Sequence, residues 1–389
     1  MTGVAAEEVC KYTGKQKARR PARQMIKEYR IIDADGHVVE PSDLWEKRLP
    51  PELATLAPQR MGTHDWVYNG QRVPPTMTDA LQEEFKRREQ KNYRSEAQAQ
   101  WSPKSQVDAM DRMGLDVSYL YPTKGLQLWA FRNMNPVVAA ALVRIYNDWL
   151  FDFCSYKPNR LKPVAAVSLH DPNDAVSELK RVAALGARAI FVRPNPIVND
   201  TMRTLGDPVY ERLWAQAEQL GIGVGIHEGG GALPRVTDGR FITQFACHTN
   251  HVTEQMLAFL TLLESGVLER HPKLQFAFLE AGCGWLPFWL WRLDEIEYKT
   301  NALTVADNVK MKPSEYFRRQ CYISMEVEPY LGGLIDYIGS DRILFASDYP
   351  HPDHEPDMPA QIVEMENLVT KPVLKKILFD NPRRFYGES

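Results

Sequence analysis

Acidic residues and histidines stand where several apolar stretches of this sequence end. Asp35 and His37 close the stretch IIDADGH, and Asp348 closes RILFASD. His227 and Glu280 close two further stretches, GIGVGIH and LQFAFLE. Carboxylate and imidazole groups are ligands for divalent metal ions, and a ligand set that leaves one position open makes a catalytic site. These residue types at these places therefore predict metal-assisted chemistry.

The apolar stretches are typical of short β-strands, because each is rich in aliphatic and β-branched residues and ends at a turn. Predicted strands are residues 30–37, 116–123, 161–170, 187–196, 222–229, 274–282, 321–327 and 342–351. Amphipathic segments with helix start and stop signals lie between them, for example residues 173–186, 208–221 and 251–266. Strands that alternate with helices favour an α/β fold of parallel β/α units, here a (β/α)8 TIM barrel with a long insertion after the first strand. A doubly wound open sheet is the alternative, but no GxGxxG motif follows the first strand.

The barrel fold would bring the polar strand ends together. Side chains alternate along a strand, so Asp35 and His37 share one face of the first strand. The C-terminal ends of parallel barrel strands surround a single mouth. We therefore expect Asp35, His37, His227 and Asp348 to meet there, with Glu280 on the same rim.

Two segments fall outside the regular alternation of strands and helices. Residues 44–105 are rich in charges and prolines and follow the first strand. Loops after barrel strands lie on the active-site side, so this insertion is predicted to be a lid or cap over the substrate. Residues 1–29 form a basic N-terminal arm ahead of a barrel domain at 30–389; a solvated tail and a contact with another subunit are both open interpretations.

Composition excludes several functional classes. The formal net charge of the 389 residues is −3, which argues against a nucleic-acid-binding protein. No apolar run reaches the roughly 18–20 residues that a membrane-spanning helix needs, and no signal peptide is recognisable. The cysteines at 10, 154, 247, 283 and 321 form no CxxC pair, which favours a reducing cytosol. We expect a cytoplasmic homo-oligomer, such as a dimer, that acts on a small molecule.

The series of motifs resembles the amidohydrolase superfamily, specifically its second family, which includes the aminocarboxymuconate-semialdehyde decarboxylase-like enzymes. The resemblance covers about residues 30–386. It rests on DADGHVVEP, AMDRMGLDVSYLYPT, RLKPVAAVSLHDP, GVLERHPKLQFAFLEAGCGWLP, FASDYPHP and ILFDNPRRFYG. It implies a (β/α)8 barrel that binds one divalent metal ion.

The resemblance also implies a ligand set. The first-strand H-x-H of the family is Asp35-Gly36-His37 here, its fifth-strand histidine falls on His227, and its last ligand falls on Asp348. Zn²⁺ is the expected ion, and Asp35 in place of an imidazole brings the harder ions Mn²⁺ and Fe²⁺ into consideration. Arg193 stands where two-metal members of the superfamily carry a bridging lysine, so one ion is expected.

The resemblance leaves the reaction open. Decarboxylases of the family carry a proton-handling histidine in an H-G-G-G motif where this chain has Glu280. We therefore predict a mononuclear metal-dependent hydrolase, in which the metal lowers the pKa of its bound water toward about 7. Asp348 would accept the proton of that water, and Glu280 would pass one to the leaving group, with His251 as a further candidate. The alternatives are a metal-dependent non-oxidative decarboxylase of an aromatic or enoic acid and a metal-free binding protein on an enzyme fold.

Residues near the mouth are candidates for substrate contact. Arg193 and His170 could hold a substrate carboxylate, although a structural salt bridge is an equal interpretation of Arg193. His351, three residues after Asp348, is expected to contact the substrate or a metal ligand. Trp285 belongs to a group of aromatic residues that favours a flat or apolar substrate. The others are Trp129, Phe131 and Tyr349.

Overall fold

Eight parallel strands form the centre of the molecule. The structure is a computed structural model, and it describes residues 28–61, 65–73, 79–128, 131–198, 202–229, 249–325, 327–328, 330–351 and 357–388. The strands are β1 (Ile32–His37), β2 (Val117–Tyr121), β3 (Leu161–Pro163, continued by Ala165–Ala166), β4 (Ala189–Val192), β5 (Gly223–Ile226), β6 (Phe276–Phe278), β7 (Cys321–Met325) and β8 (Ile343–Phe345). Each lies within one of the eight predicted segments.

The strands follow one another around a ring in chain order. Strands β1, β2 and the first part of β3 form one parallel sheet, and the second part of β3 continues through β4, β5, β6 and β7 to β8. Backbone hydrogen bonds join the two ends of this series: the amide of His37 donates to the Tyr349 carbonyl at 2.7 Å, and the amide of Asp348 donates to the Asp35 carbonyl at 2.9 Å. This is the order of a (β/α)8 barrel, so the predicted fold is confirmed.

Helices cover the strands and begin and end at local sequence signals. The helix Pro172–Ala184 begins after Asp171, whose carboxylate accepts a hydrogen bond from the Asn173 amide at 2.8 Å. The helix Glu211–Leu220 ends at Gly221, whose φ of 64° favours glycine. Other α-helices after the first strand and its insertion are Pro103–Met113, Gly125–Leu128, Pro136–Ser155, Thr249–Glu264, Val267–Arg270, Leu286–Arg292, Tyr298–Asn301, Pro313–Gln320, Leu331–Ile338, Met358–Leu368, Lys371–Lys375 and Asn381–Phe385. Short 3-10 or π-helical segments are Pro208–Tyr210, Leu293–Glu297, Ala302–Val305 and Lys376–Asp380, and Ile197–Val198 pairs antiparallel with Met202–Arg203.

The interior of the barrel is filled by large side chains in contact with the strand ends. The Tyr121 ring packs against the imidazole of His227, with ring centroids 5.6 Å apart, and its hydroxyl lies 3.1 Å from that of Tyr386. Tyr386 in turn donates to the Ala34 carbonyl at 2.6 Å. A Cβ atom at Gly225 would lie 2.3 Å from the Tyr121 hydroxyl, so only glycine fits there. The C-terminal segment thereby supports β1 and β5, which carry the predicted ligands.

The predicted insertion forms a small subdomain on the barrel. Its strands are Gln59–Met61, Asp65–Tyr68 and Gln71–Val73, paired antiparallel, and its helices are Leu44–Arg48, Pro51–Ala54, Asp79–Asn92 and Arg94–Gln98. The Trp45 indole donates to the Leu142 carbonyl at 3.1 Å. The ring of Tyr93 meets the ring of Tyr349 edge-on, with centroids 5.3 Å apart. The insertion therefore reaches the rim next to Asp348, and its role as a lid stays a prediction.

Several other expectations are left open by the fold. Residues 1–27 of the predicted N-terminal arm lie outside the described residues. Among the residues that are described, no helix combines the length and the apolar character needed to cross a bilayer. The expected cytoplasmic location and the expected homodimer stay predictions.

Candidate active site

Two histidines and an aspartate form the centre of the site. Asp35 and His37 project from the end of β1, and His227 directly follows β5. One ligand atom from each of the three lies within 4.8 Å of the other two. The Nε2 atoms of His37 and His227 lie 3.6 and 3.5 Å from Oδ1 of Asp35. All three side chains are fully buried.

Backbone carbonyl groups fix the orientation of both imidazoles. Nδ1 of His37 lies 2.8 Å from the Pro122 carbonyl oxygen, and Nδ1 of His227 lies 2.7 Å from the Glu228 carbonyl oxygen. A carbonyl oxygen only accepts, so Nδ1 carries the proton and Nε2 keeps its lone pair. Burial, the largest effect, lowers the pKa of His37 to about 4 and that of His227 to about 3. Both rings are therefore neutral at neutral pH, as metal-binding imidazoles must be.

The buried nitrogen atoms support a cation at this place. In the part of the chain that the structure describes, neither Nε2 atom makes a hydrogen bond. Nε2 of His227 lies 2.8 Å from Oε2 of Glu280, so a lone pair faces a carboxylate oxygen. Two acceptors at this distance repel each other unless a proton or a metal ion lies between them. Imidazole nitrogens beside carboxylate oxygens form a donor set that suits a divalent metal ion.

A second group of potential ligands shares His37 with the first. It consists of His37, Glu280, Asp348 and His351, again with ligand atoms within 4.8 Å. Oδ1 of Asp348 lies 3.2 Å from Nε2 of His37 and 2.6 Å from Nδ1 of His351. Oε2 of Glu280 lies 3.6 Å from Nε2 of His37. The four predicted metal ligands thus occupy two overlapping groups, with Asp348 joined to the others through His37.

The two carboxylates on the rim have unusual backbone conformations. Glu280 has a φ of 48° and Asp348 a φ of 50°, both in the left-handed region that non-glycine residues rarely adopt. Each lies two or three residues beyond the end of its strand, β6 or β8. Backbone strain of this kind persists only where the surroundings impose it, and it is concentrated at functional sites. The fold thus holds both carboxyl groups toward the histidines.

The same two carboxyl groups differ in their protonation. Burial is the largest influence on Glu280, and together with the charge of Asp348 it raises the pKa of Glu280 to about 7. Burial also opposes charge on Asp348, but His351 and His37 outweigh it and hold the pKa of Asp348 well below its usual range. One carboxyl group stays ionised while the other can carry a proton near neutral pH. Such a separation is typical of acid–base pairs in enzymes.

Glu228 is a residue of the site that the sequence analysis missed. It follows His227 and is fully buried, with Oε2 at 3.0 Å from Nε2 of His251 and Oε1 at 3.6 Å from Nη2 of Arg193. Burial lowers the pKa of His251, but the charges and hydrogen bonds of Glu228 and Glu280 together outweigh this effect and raise the pKa to about 10. Strand alternation would have put Glu228 on the face opposite His227. The signal that could have identified it is a carboxylate directly after an apolar strand.

The predicted substrate-binding residues lie in different surroundings. Arg193 is buried, and its guanidinium donates to the Leu126 carbonyl and, at 2.6 Å, to Oδ1 of Asn195. Neither partner is charged, and both interpretations of Arg193, a substrate contact and a structural salt bridge, stay predictions. His170 is buried with Nδ1 at 3.2 Å from the Ser168 hydroxyl, and burial lowers its pKa to about 4.

Only one of the four predicted substrate contacts, His351, belongs to the ligand groups. The imidazole of His351 also packs against that of His37, with ring centroids 4.0 Å apart. Trp285 precedes the helix Leu286–Arg292, and its ring meets that of Phe278 with centroids 6.4 Å apart. Trp129 lies outside the described residues.

Comparison with known proteins gives consistent similarities. The sequence profile of the amidohydrolase family matches residues 32–387. Gamma-resorcylate decarboxylase of Rhizobium sp. (strain MTP-10005) is 30% identical over 239 residues, which are 56% of this chain and 69% of that protein. The crystal structure of an amidohydrolase from Mycobacterium avium subsp. paratuberculosis K-10 has a TM-score of 0.76 and 22% identity, covering 92% of this chain and 99% of that one. A dihydroxybenzoic acid decarboxylase from Polaromonas sp. JS666, with bound manganese and the inhibitor 2-nitroresorcinol, has a TM-score of 0.64 and 19% identity over 92% and 97% of the two chains.

Proposed function

This chain belongs to the amidohydrolase family, and from that premise we propose that it is a metal-dependent non-oxidative decarboxylase of an aromatic carboxylic acid. The sequence alone favoured hydrolysis, because Glu280 replaces the proton-handling histidine of the decarboxylases. The observation that carries the present proposal is the 30% identity with gamma-resorcylate decarboxylase over 69% of its length. The geometry supports it, because Glu280 can take over the supply of a proton.

The proposed site holds one divalent ion through Asp35, His37, His227 and Asp348. We place Mn²⁺ ahead of the Zn²⁺ expected from the sequence, because carboxylate oxygens suit the harder ion. Support also comes from the manganese bound by the Polaromonas decarboxylase. When bound, such an ion supplies a positive charge and Lewis-acid polarisation for the oxygens of the substrate.

Glu280 is the proposed proton donor. Its Oε2 atom lies beside the two Nε2 atoms, and 12% of its side-chain surface is exposed. In the reaction, the ring carbon that bears the carboxylate takes the proton of Glu280. The bond between that carbon and the carboxylate then breaks, its electron pair returns to the ring, and CO₂ leaves. Asp348, already ionised, lies 2.6 Å from Nδ1 of His351 and holds that imidazole in place.

The proposal is tested with manganese-loaded protein and a panel of hydroxybenzoates. Each acid carries its carboxylate next to a ring hydroxyl and is paired with the corresponding ester and amide. We expect CO₂ release from at least one acid, and in D₂O one deuterium on the carbon that lost the carboxylate. Hydrolysis of an ester or amide without CO₂ release would reject decarboxylation and favour the hydrolase function predicted from the sequence. His227→Ala serves as the inactive control, because it removes a proposed ligand.

A further inference from the structure

The loop after strand β2, residues 122–126, provides hydrogen-bonding groups to three residues of the site. The Pro122 carbonyl oxygen lies 2.8 Å from Nδ1 of His37 and thereby fixes the orientation of that imidazole. The other two contacts are the Thr123 hydroxyl, 3.1 Å from Nε2 of His351, and the Leu126 carbonyl, which accepts a hydrogen bond from the Arg193 guanidinium. A shift of this loop would therefore displace a hydrogen-bonding partner of each of the three side chains.

Glu40 holds the middle of this loop. It lies three residues after the end of β1 and is 1% exposed. Its Oε2 atom accepts a hydrogen bond from the Lys124 amide at 2.9 Å, and its Oε1 atom accepts one from the Gly125 amide at 3.0 Å. Nζ of Lys124 donates to the Glu40 carbonyl at 2.6 Å, so hydrogen bonds join the two segments in both directions.

The origin of this carboxylate is unusual for its role. Gly125 begins the short helix Gly125–Leu128, and the first amides of a helix have no partner within it. The residue directly before a helix commonly supplies the acceptor. Here the acceptor comes from Glu40, which is 84 and 85 positions away along the chain. The contact therefore couples the segment after β1, the strand that carries Asp35 and His37, to the loop that orients His37.

We propose that Glu40 is a positioning residue for the metal site, which acts on His37 through the loop 122–126 and the Pro122 carbonyl. This inference rests on the metal site of the proposed function, but it is independent of the reaction that the site performs. Without Glu40, two buried amides of the loop lose their acceptor. The loop would then move to satisfy them, and the Nε2 lone pair of His37 would no longer be held toward Asp35 and His227.

The first test measures the affinity for Mn²⁺ of the wild type, Glu40→Gln and Glu40→Ala, by competition with a chelator. Glutamine keeps one of the two acceptor oxygens, and alanine removes both. We expect the Kd of Glu40→Ala to rise about 10-fold or more, the lower end of the usual effect of removing the partner of a metal-binding histidine. The Kd of Glu40→Gln should lie between those of Glu40→Ala and the wild type. An unchanged Kd in Glu40→Ala would overturn the inference.

A matched control lies at the other end of the barrel. Glu218 also holds a backbone amide, that of Lys273 at 2.8 Å, and its Oε2 atom lies 3.3 Å from Nδ1 of His271. Lys273 precedes β6, whereas the potential metal ligands lie at the C-terminal ends of the strands. Glu218→Gln should therefore keep the wild-type Kd for Mn²⁺. An equal rise in Glu40→Gln and Glu218→Gln would overturn the inference, because the effect would then be general.

Thermal unfolding separates positioning from a purely structural role. The metal-free Glu40→Ala variant should unfold at a lower temperature than the metal-free wild type, because buried amides lose their acceptor. Added Mn²⁺ should raise the unfolding temperature of the variant by less than that of the wild type, because stabilisation by a bound ion depends on its Kd. An equal rise in both proteins would make the role of Glu40 structural only and would overturn the inference.

The remaining outcomes distinguish this inference from the proposed function. If the wild type binds Mn²⁺ but releases no CO₂, the proposed reaction fails, and the Kd values still decide the inference. If the wild type binds no Mn²⁺, the proposed metal site and the inference are both overturned. If neither Glu40 variant folds, Lys124→Met is decisive, because it removes the hydrogen bond from Nζ to the Glu40 carbonyl. A raised Kd in that variant supports the inference, and a wild-type Kd overturns it.

Discussion

Replacing Glu280 by glutamine should separate the cost of its buried charge from its role in the reaction. Burial raises the pKa of this carboxyl group from 4.5 to about 7 in the metal-free protein. A raised pKa means that the folded state binds the proton more tightly than the unfolded chain does. The metal-free protein should therefore lose stability as pH rises from about 4.5 to about 7. At about 1.4 kcal/mol for each pKa unit, the loss amounts to about 3 kcal/mol.

Glu280→Gln carries no titrating group and avoids this loss. We expect the chelator-treated variant to unfold at a higher temperature than the chelator-treated wild type at pH 8, and at a similar temperature at pH 4.5. An amide N–H directed at Nε2 of His227, now 2.8 Å from a carboxylate oxygen, would add to this gain. The measurement is thermal unfolding of both proteins at both pH values, with Glu218→Gln as a control for the loss of a carboxylate.

The same variant should lose its activity when metal is present. Turnover should fall about 10²–10⁴-fold, the usual contribution of general acid catalysis, while metal content stays unchanged. Three results would refute the reasoning in different ways. If the Glu280→Gln variant loses its metal, Glu280 is a ligand. If the variant keeps full activity, another group supplies the proton. If the metal-free variant is less stable than the metal-free wild type at pH 8, the buried charge of Glu280 does not have the cost assigned to it.

Three further predictions concern the metal, the closure of the barrel and its interior. Elemental analysis should find one divalent ion per chain, and two ions per chain would contradict this. His227→Ala should lose activity while circular dichroism still shows a cooperative unfolding transition. An unfolded variant would contradict this second expectation. Asp33→Ala should lower the free energy of unfolding by about 3 kcal/mol or more in chemical denaturation, because Asp33 accepts hydrogen bonds from the Ser118 hydroxyl and from the Ser347 amide and hydroxyl, at 2.6 to 2.8 Å. Gly225→Ala should lower the free energy of unfolding by about 1–3 kcal/mol in the same assay, because its Cβ would lie 2.3 Å from the Tyr121 hydroxyl. Unchanged stability would contradict this, because it would show that the Tyr121 side chain moves aside freely.

The eight strands could be predicted because their signals are local. Each strand is a short apolar run that ends in a polar turn, and each observed strand lies inside its predicted segment. Two rules were enough to select Asp35, His37 and His227: side chains alternate in direction along a strand, and the C-terminal ends of barrel strands share one mouth. The structure brings these three residues together. The form of the insertion was not predictable, because the strands between residues 59 and 73 are three or four residues long and are exposed in part.

The orientation of polar side chains was decided by tertiary contacts alone. Strand β5 ends at Ile226, so the alternation rule no longer applies to Glu228, and the backbone turns this carboxylate toward His251. Arg193 could hold a substrate or form a structural ion pair as far as sequence is concerned. Its partners, the Leu126 carbonyl and Asn195, come from the short helix after β2 and the loop after β4. The types of residues at strand ends therefore follow from the sequence, whereas their partners depend on which loops the closed barrel brings into contact, because hydrogen bonds and ion pairs form only over a few ångströms.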